Sequence, residues 1–222
     1  MIFYIIIGCV YAAALITYFF VETKPRLFAA RATDKIVMAT LYLIVAASAV
    51  FTKEIELYKI LIFSACCFAW FGDLFLLFKK TFGVGVVFFL LSNLAVISAE
   101  TVILANMQVS GGFIWVTALV FIAVYGGLAV MQITKFCSFG KYIVPLNIYI
   151  SVMTLSGSIG VALAIFGTGV FTAIFGIGVT LFMISDYLLG AYLFKFKVNK
   201  VLISNSAFYF TGIFLIALSL IF

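Results

Sequence analysis

The chain has no histidine. That absence removes histidine-ligated zinc hydrolases, Ser-His-Asp triads and histidine proton relays together. Charge is scarce as well. Only 9% of the 222 residues are Asp, Glu, Lys or Arg, against about 25% in a soluble domain. No hydrophilic stretch is long enough to fold as a soluble domain beside the apolar ones. The two prolines are too few to interrupt the apolar runs. The four cysteines, Cys9, Cys66, Cys67 and Cys137, follow no spaced pattern. Three of them lie in apolar segments and read as buried thiols, not as disulfides or ligands. The first apolar run lacks a basic stretch before it and a small-residue cleavage site after it. It reads as a first membrane helix and not as a signal peptide.

What is present is hydrocarbon. The chain is 67% hydrophobic, contains 27 Phe and has a mean hydropathy of +1.38. Its apolar runs are continuous and near 20 residues long, whereas barrel strands alternate over about ten. The expected fold is therefore all-α, a polytopic membrane protein. Eight segments can be drawn: Ile2 to Phe20, Thr33 to Phe51, Tyr58 to Phe78, Phe82 to Leu104, Phe113 to Ile133, Lys141 to Phe166, Val170 to Phe194, and Val201 to Phe222. Short connections favour antiparallel neighbours, and hence one eight-helix transmembrane domain spanning 1–222.

The net charge of +6 reads as topology and not as nucleic-acid binding. Lys24, Arg26, Arg31 and Lys35 fall in the first connection, Lys79 and Lys80 in the third, Lys135 and Lys141 in the fifth, and Lys195, Lys197 and Lys200 in the seventh. Lys53 and Lys59 flank the second, beside Glu54 and Glu56. By the positive-inside rule the odd connections face the cytoplasm, and both termini are non-cytoplasmic. A bacterial inner membrane is the expected location.

Seven acidic residues exist, and Asp73 and Asp186 read as the deepest in apolar sequence. A carboxylate at such depth costs roughly 2.5–3.5 kcal/mol on insertion scales, and it normally faces a protein interior or a water-filled cavity. Asp73 lies about 9 Å from the Lys79 boundary and Asp186 about 13 Å from Lys195. Asn147 and Tyr149 on helix six, with Asn205, Ser206 and Tyr209 on helix eight, fall in the same layer of the cytoplasmic half at about 8–13 Å. Ser151, Thr154 and Ser158 read as packing and hydrogen-bonding positions, and Gly157, Gly160, Gly176 and Gly178 as packing notches. Asn93 lies near mid-membrane. Glu100, on the same face one heptad later, reads as solvated near the outer interface. Tyr58 and Trp115 read as interfacial anchors.

A shift of 113 residues lays Gly72-Asp73-Leu74 on Ser185-Asp186-Tyr187, and helices one to four on five to eight. Identity is low, but a parallel duplication of 1–113 and 114–222 would resemble some transporters. Two aspartates close together in a dry site share a proton and titrate as a pair, one an acid and one an anion. That is a general acid/base pair made without histidine, and acid-labile ether or acetal bonds suit it. The rival reading is a small proton-coupled transporter with the aspartates as proton carriers. A non-catalytic lipid-binding protein is a third.

The chain resembles the YhhN family of integral membrane proteins, the lysoplasmalogenases, over nearly its whole length. The resemblance rests on Gly72-Asp73 with its following leucines, and on Gly178, Phe182, Ser185 and Asp186 with Phe194 beyond. Pro145, Tyr149, Met153 and Phe82-Gly83 also fit. It departs at Ser92-Asn93, where a family histidine is expected, and after Tyr209, where Phe210-Thr211-Gly212 stands. The resemblance implies hydrolysis of the vinyl ether bond of a lysoplasmalogen, a lysophospholipid, to a fatty aldehyde and a glycerophospho-head group. It implies Asp73 and Asp186 as the catalytic residues, with no metal or other cofactor. Tyr149 and Asn147 become candidates to orient substrate or water, and Ser185, Tyr209 and Asn93 candidates for substrate binding. Lys35, Lys79 or Lys80 is placed to meet the lipid phosphate, although each also serves as a positive-inside determinant.

Overall fold

Hydrocarbon offers no partner to a backbone N–H or C=O, so continuous apolar runs pair their backbone internally, as helices. The computed structural model describes residues 2–24, 27–52, 56–134, 140 and 143–222. Among these are eight long helices: α1 (Ile2–Val21), α2 (Phe28–Thr52), α3 (Leu57–Leu76), α4 (Phe82–Ala105), α5 (Gly111–Ile133), α6 (Ile143–Phe166), α7 (Val170–Phe194) and α8 (Asn199–Ser219). All eight are long and apolar enough to cross a membrane. At 1.5 Å per residue the shortest spans about 30 Å, the thickness of a bilayer's hydrocarbon core.

Each expected segment is a helix, with small shifts at its ends. The α2 helix begins earlier, at Phe28, and α3 ends earlier, at Leu76, where a single 3-10 turn (Lys79–Thr81) leads into α4. Thr81 Oγ1 closes that corner by donating to the Phe75 carbonyl at 2.7 Å. Pro145 sits in the first turn of α6, where its missing N–H costs no helical bond. Ser110 caps α5 by accepting from the Phe113 N–H at 3.2 Å. Arg26, Lys53, Glu54, Lys135, Cys137 and Lys141 lie outside the described residues, as does the expected start of helix six at Lys141.

Neighbouring helices pack in chain order through the first four and again through the last four. The sets meet where α4 crosses α6 and where α8 lies against α2, α3 and α1. Small residues set the closest approaches. A Cβ at Gly178 would stand 2.9 Å from the Gly212 carbonyl oxygen, so α7 and α8 touch backbone to backbone. Gly176 and Gly160 make the same kind of contact between α7 and α6, and Gly157 receives Met183. These glycines are the packing notches expected of them. Polar pins join other neighbours. Ser92 Oγ donates to the Ala65 carbonyl at 2.9 Å, and the Tyr11 hydroxyl to the Phe210 carbonyl at 2.6 Å. The outward surface is apolar, with Ile2, Phe20, Leu119, Ile122 and Ile133 among its exposed side chains. Such a surface belongs in lipid.

Two expectations are corrected. Cys66 is buried and Cys67 half-buried, but the Cys9 thiol is exposed on the outer face of α1. Glu100 is fully buried, not solvated. Neither of its carboxyl oxygens has a hydrogen-bond partner, and Ser156 of α6 is the polar side chain beside it. The cause is the crossing of α4 by α6, which covers the outer part of α4 that its distance from the helix end had placed near water.

Candidate active site

Lys35 and Tyr42 are seven residues apart on α2, a spacing that puts both on one helix face. That face meets α3 at Asp73. The Tyr42 hydroxyl donates to Asp73 Oδ2 at 3.2 Å. From α8, the Tyr209 hydroxyl donates to the same oxygen at 2.6 Å. Asp73 Oδ1 faces the Lys35 ammonium at 3.1 Å but receives no aligned hydrogen bond. Asp73 is 1% exposed. Gly72 beside it admits the ring of Phe89, which a Cβ there would meet at 2.8 Å.

Asp186 is held differently. Its Oδ2 accepts from the Tyr149 hydroxyl of α6 at 2.5 Å. Asn93 of α4 stands beside both members of that pair, while its amide donates to the Phe89 carbonyl at 3.1 Å. One residue on, the Tyr187 hydroxyl is 2.6 Å from Thr154 Oγ1. Asp73 thus has an ammonium and two phenols for partners, whereas the close hydrogen bond to Asp186 comes from one phenol.

Both aspartates line one cavity of about 600 Å³, a size usual for small-ligand sites. Its polar lining includes Tyr18, Glu22, Lys35, Asn205, Ser206 and Tyr209. Its apolar lining includes Val124, Leu128, Met131, Ile150, Leu189 and Leu193 from α5, α6 and α7. A group with a charged head and a hydrocarbon tail matches that mixed lining.

Of the sequence candidates, Asp73, Asp186, Tyr149, Tyr209 and Lys35 come together around this cavity. Asn93 touches it only through Tyr149 and Asp186. Asn147 does not line it; its side chain exchanges hydrogen bonds with Gln132 of α5 at 3.1 and 3.3 Å. Ser185 is fully buried, and its hydroxyl donates within α7 to the Phe182 carbonyl at 2.7 Å. Lys80 is exposed away from the cavity, and the Lys79 side chain lies outside the described residues. Ser151 and Ser158 bond back to carbonyls of their own helix.

Sequence reasoning missed Tyr42 and Glu22. A heptad step from Lys35 would have found Tyr42. Glu22 carried a plainer signal, as an acid at the end of an apolar run in an otherwise basic connection. It is 3% exposed and accepts from Ser206 Oγ of α8. Burial pushes its carboxyl up to about 7, against the downward pull of Ser206 and of the Lys35 charge. Among the described residues, no cluster of three or more Cys, Asp or Glu comes together as a metal site would require.

The sequence model of the YhhN family matches residues 31–220, which is most of the chain and includes both aspartates. The chain belongs to that family. No curated protein and no solved structure matches it.

Proposed function

We propose that this YhhN-family chain is an intramembrane hydrolase that cleaves the vinyl ether bond of lysoplasmalogens by acid–base catalysis between Asp186 and Asp73. The observation that carries the reading is that both aspartates open on one cavity whose lining combines charged and polar groups with many apolar side chains. A lysolipid's single chain suits the apolar lining and its head group the polar one. Its ether then lies between the carboxyl groups.

The unlike partners of the aspartates support different roles for them. Asp73, facing the Lys35 ammonium, is the anion. Asp186, held by the Tyr149 phenol at Oδ2, carries the proton on Oδ1. That proton goes to the outer vinyl carbon, and the ether carbon becomes an oxocarbenium ion. Asp73 stabilises the cation and takes a proton from the water that adds to it, as paired carboxyl groups do in glycoside hydrolysis. The hemiacetal then collapses. Asp73 returns its proton to the departing glycerol oxygen, and Asp186 recovers one from the hemiacetal hydroxyl. One water is consumed, and both carboxyl groups end as they began. The charge pattern of the connections supports a position for this layer in the cytoplasmic half of the membrane.

The test follows aldehyde release by purified protein in detergent, from a lysoplasmalogen and from a saturated ether lysolipid. Release from the vinyl ether alone, lost in folded Asp73→Asn and Asp186→Asn, is the expected result. Release that persists in either variant refutes the paired mechanism. The buried, unpartnered Glu100 favours one rival, a proton-coupled transporter with carboxyl groups in both halves of the membrane. That rival predicts no aldehyde, and proton-coupled flux in liposomes that Glu100→Gln abolishes.

A further inference from the structure

The acid–base cycle uses two of the carboxyl groups on the cavity and leaves Glu22 without a task. Its Oε1 accepts from Ser206. Its Oε2 is buried and accepts no bond of hydrogen-bond geometry, with the Tyr18 hydroxyl standing nearby, and the side chain lines the cavity. The nearby cations are engaged elsewhere. Arg31 Nη1 donates to the backbone carbonyl of Glu22 at 3.2 Å, and Lys35 is paired with Asp73 at 3.1 Å. Burial holds the carboxyl up at about 7 even with the Lys35 charge nearby, as befits an acid that lacks a close cation. An orphaned buried acceptor is costly until a donor fills it.

On this wall the interactions of Lys35 link Asp73 to Glu22. Lys35 touches Asp73, and its charge reaches Glu22. A lysolipid presents its groups in the order ether, phosphate, ammonium. Resting on the lysolipid reading above, we propose that Glu22, held by Ser206, takes the head-group ammonium through Oε2, with Lys35 on the phosphate. The site therefore selects amines that still carry an N–H, ethanolamine over choline.

Saturated ether lysolipids are not cleaved, so their binding is readable in the unaltered protein. A series of ethanolamine, N-methyl, N,N-dimethyl and choline head groups keeps the charge throughout and loses its last N–H only at choline. Titration calorimetry in detergent is expected to give similar affinities for the first three and a drop of about tenfold at choline, the size of one hydrogen bond to a charged group. Glu22→Gln flattens the step, and Ser206→Ala shrinks it. A flat series in the unaltered protein, a step that survives in folded Glu22→Gln, or no binding of any analogue overturns the proposal. Aldehyde release, measured alongside, separates the two readings. A step without aldehyde sinks the hydrolase and leaves the ammonium subsite standing. Aldehyde with a flat series sinks the subsite alone.

Discussion

Replacing Tyr149 by Phe removes a single hydroxyl, the one that donates to Asp186 Oδ2 at 2.5 Å. If Asp186 is the acid, that bond serves a neutral carboxyl group before proton transfer and a carboxylate after it. A neutral hydrogen bond contributes about 1 kcal/mol net, and a charge-assisted one is roughly twice as strong. The difference, about 1–1.5 kcal/mol, is felt in the transition state and not in the bound substrate, which makes it about tenfold in kcat. KM is expected to stay nearly unchanged, because the bond tightens only as the proton leaves. Tyr209→Phe supplies the contrast. It deprives Asp73 of a donor, but Asp73 is charged from the start and loses charge as it takes the water proton, so kcat falls less. Initial rates of aldehyde release over a range of lysoplasmalogen concentrations, with thermal unfolding to confirm folding, measure both variants. A Tyr149→Phe protein with unaltered kcat, or one in which only KM moves, refutes the assignment of Asp186 as the acid.

Glu22 makes stability depend on pH. Its carboxyl is raised from an ordinary 4.5 to about 7, so between those values the folded chain holds a proton that the unfolded chain has lost. The stability this contributes is full below pH 4.5 and gone above about 7, and it amounts to about 3 kcal/mol at 1.36 kcal/mol per pH unit. Arg31, Lys35, Tyr18 and Ser206 are the groups that face it. The unfolding midpoint in detergent is therefore expected to fall from pH 5 to pH 8 in the unaltered protein relative to Glu22→Gln; parallel curves contradict the assignment. Packing gives a second expectation. Gly178→Val drives its side chain into the Gly212 backbone and costs about 1–3 kcal/mol or more by overpacking, whereas Gly126→Ala meets nothing within 4 Å and leaves the midpoint in place. Asn147 and Gln132 form a third. A double-mutant cycle to Ala at both positions is expected to show a coupling of about 0.5–1.5 kcal/mol, and strict additivity counts against their hydrogen bonds.

Helix number and length were legible because hydrocarbon leaves the chain no other solution. The meeting of Asp73, Asp186, Tyr149 and Tyr209 at one level of the bundle was legible too, since rise per residue converts sequence distance into position along a helix. Rotation about each helix axis was not. Asn147 and Tyr149 share a depth, but two residues turn about 200° around a helix, so the two side chains point to opposite sides. Tyr149 reaches Asp186, and Asn147 reaches α5. Ser185 differs from Asp186 by about 100°, enough to turn its hydroxyl back into α7. Glu100 was misjudged for a related reason. Distance from a helix end says how deep a residue lies, not whether another helix covers it. Which faces turn inward is decided by long-range contacts such as α4 on α6, and these leave no mark in local sequence.

The two carboxyl groups are supported by corresponding helices. Asp73 on α3 is held by phenols from α2 and α8. Asp186 on α7 is held by a phenol from α6, with Asn93 of α4 beside it. Exchanging the first four helices with the last four turns one set of helices into the other. What breaks the equivalence is charge. The first aspartate has Lys35 at 3.1 Å, and the second has an amide from Asn93 where the first has a phenol from Tyr209. Two carboxyl groups in like frames would compete for the same proton. A lysine on one side only makes them unlike, and general acid–base chemistry requires two unlike groups. In the proposed mechanism Lys35 is therefore the residue on which the division of labour turns. With Lys35→Met the two aspartates lose their distinction, and aldehyde release is expected to fall by at least as much as with Tyr149→Phe. A Lys35→Met protein that folds and turns over normally would remove the physical basis for calling one aspartate the acid and the other the base.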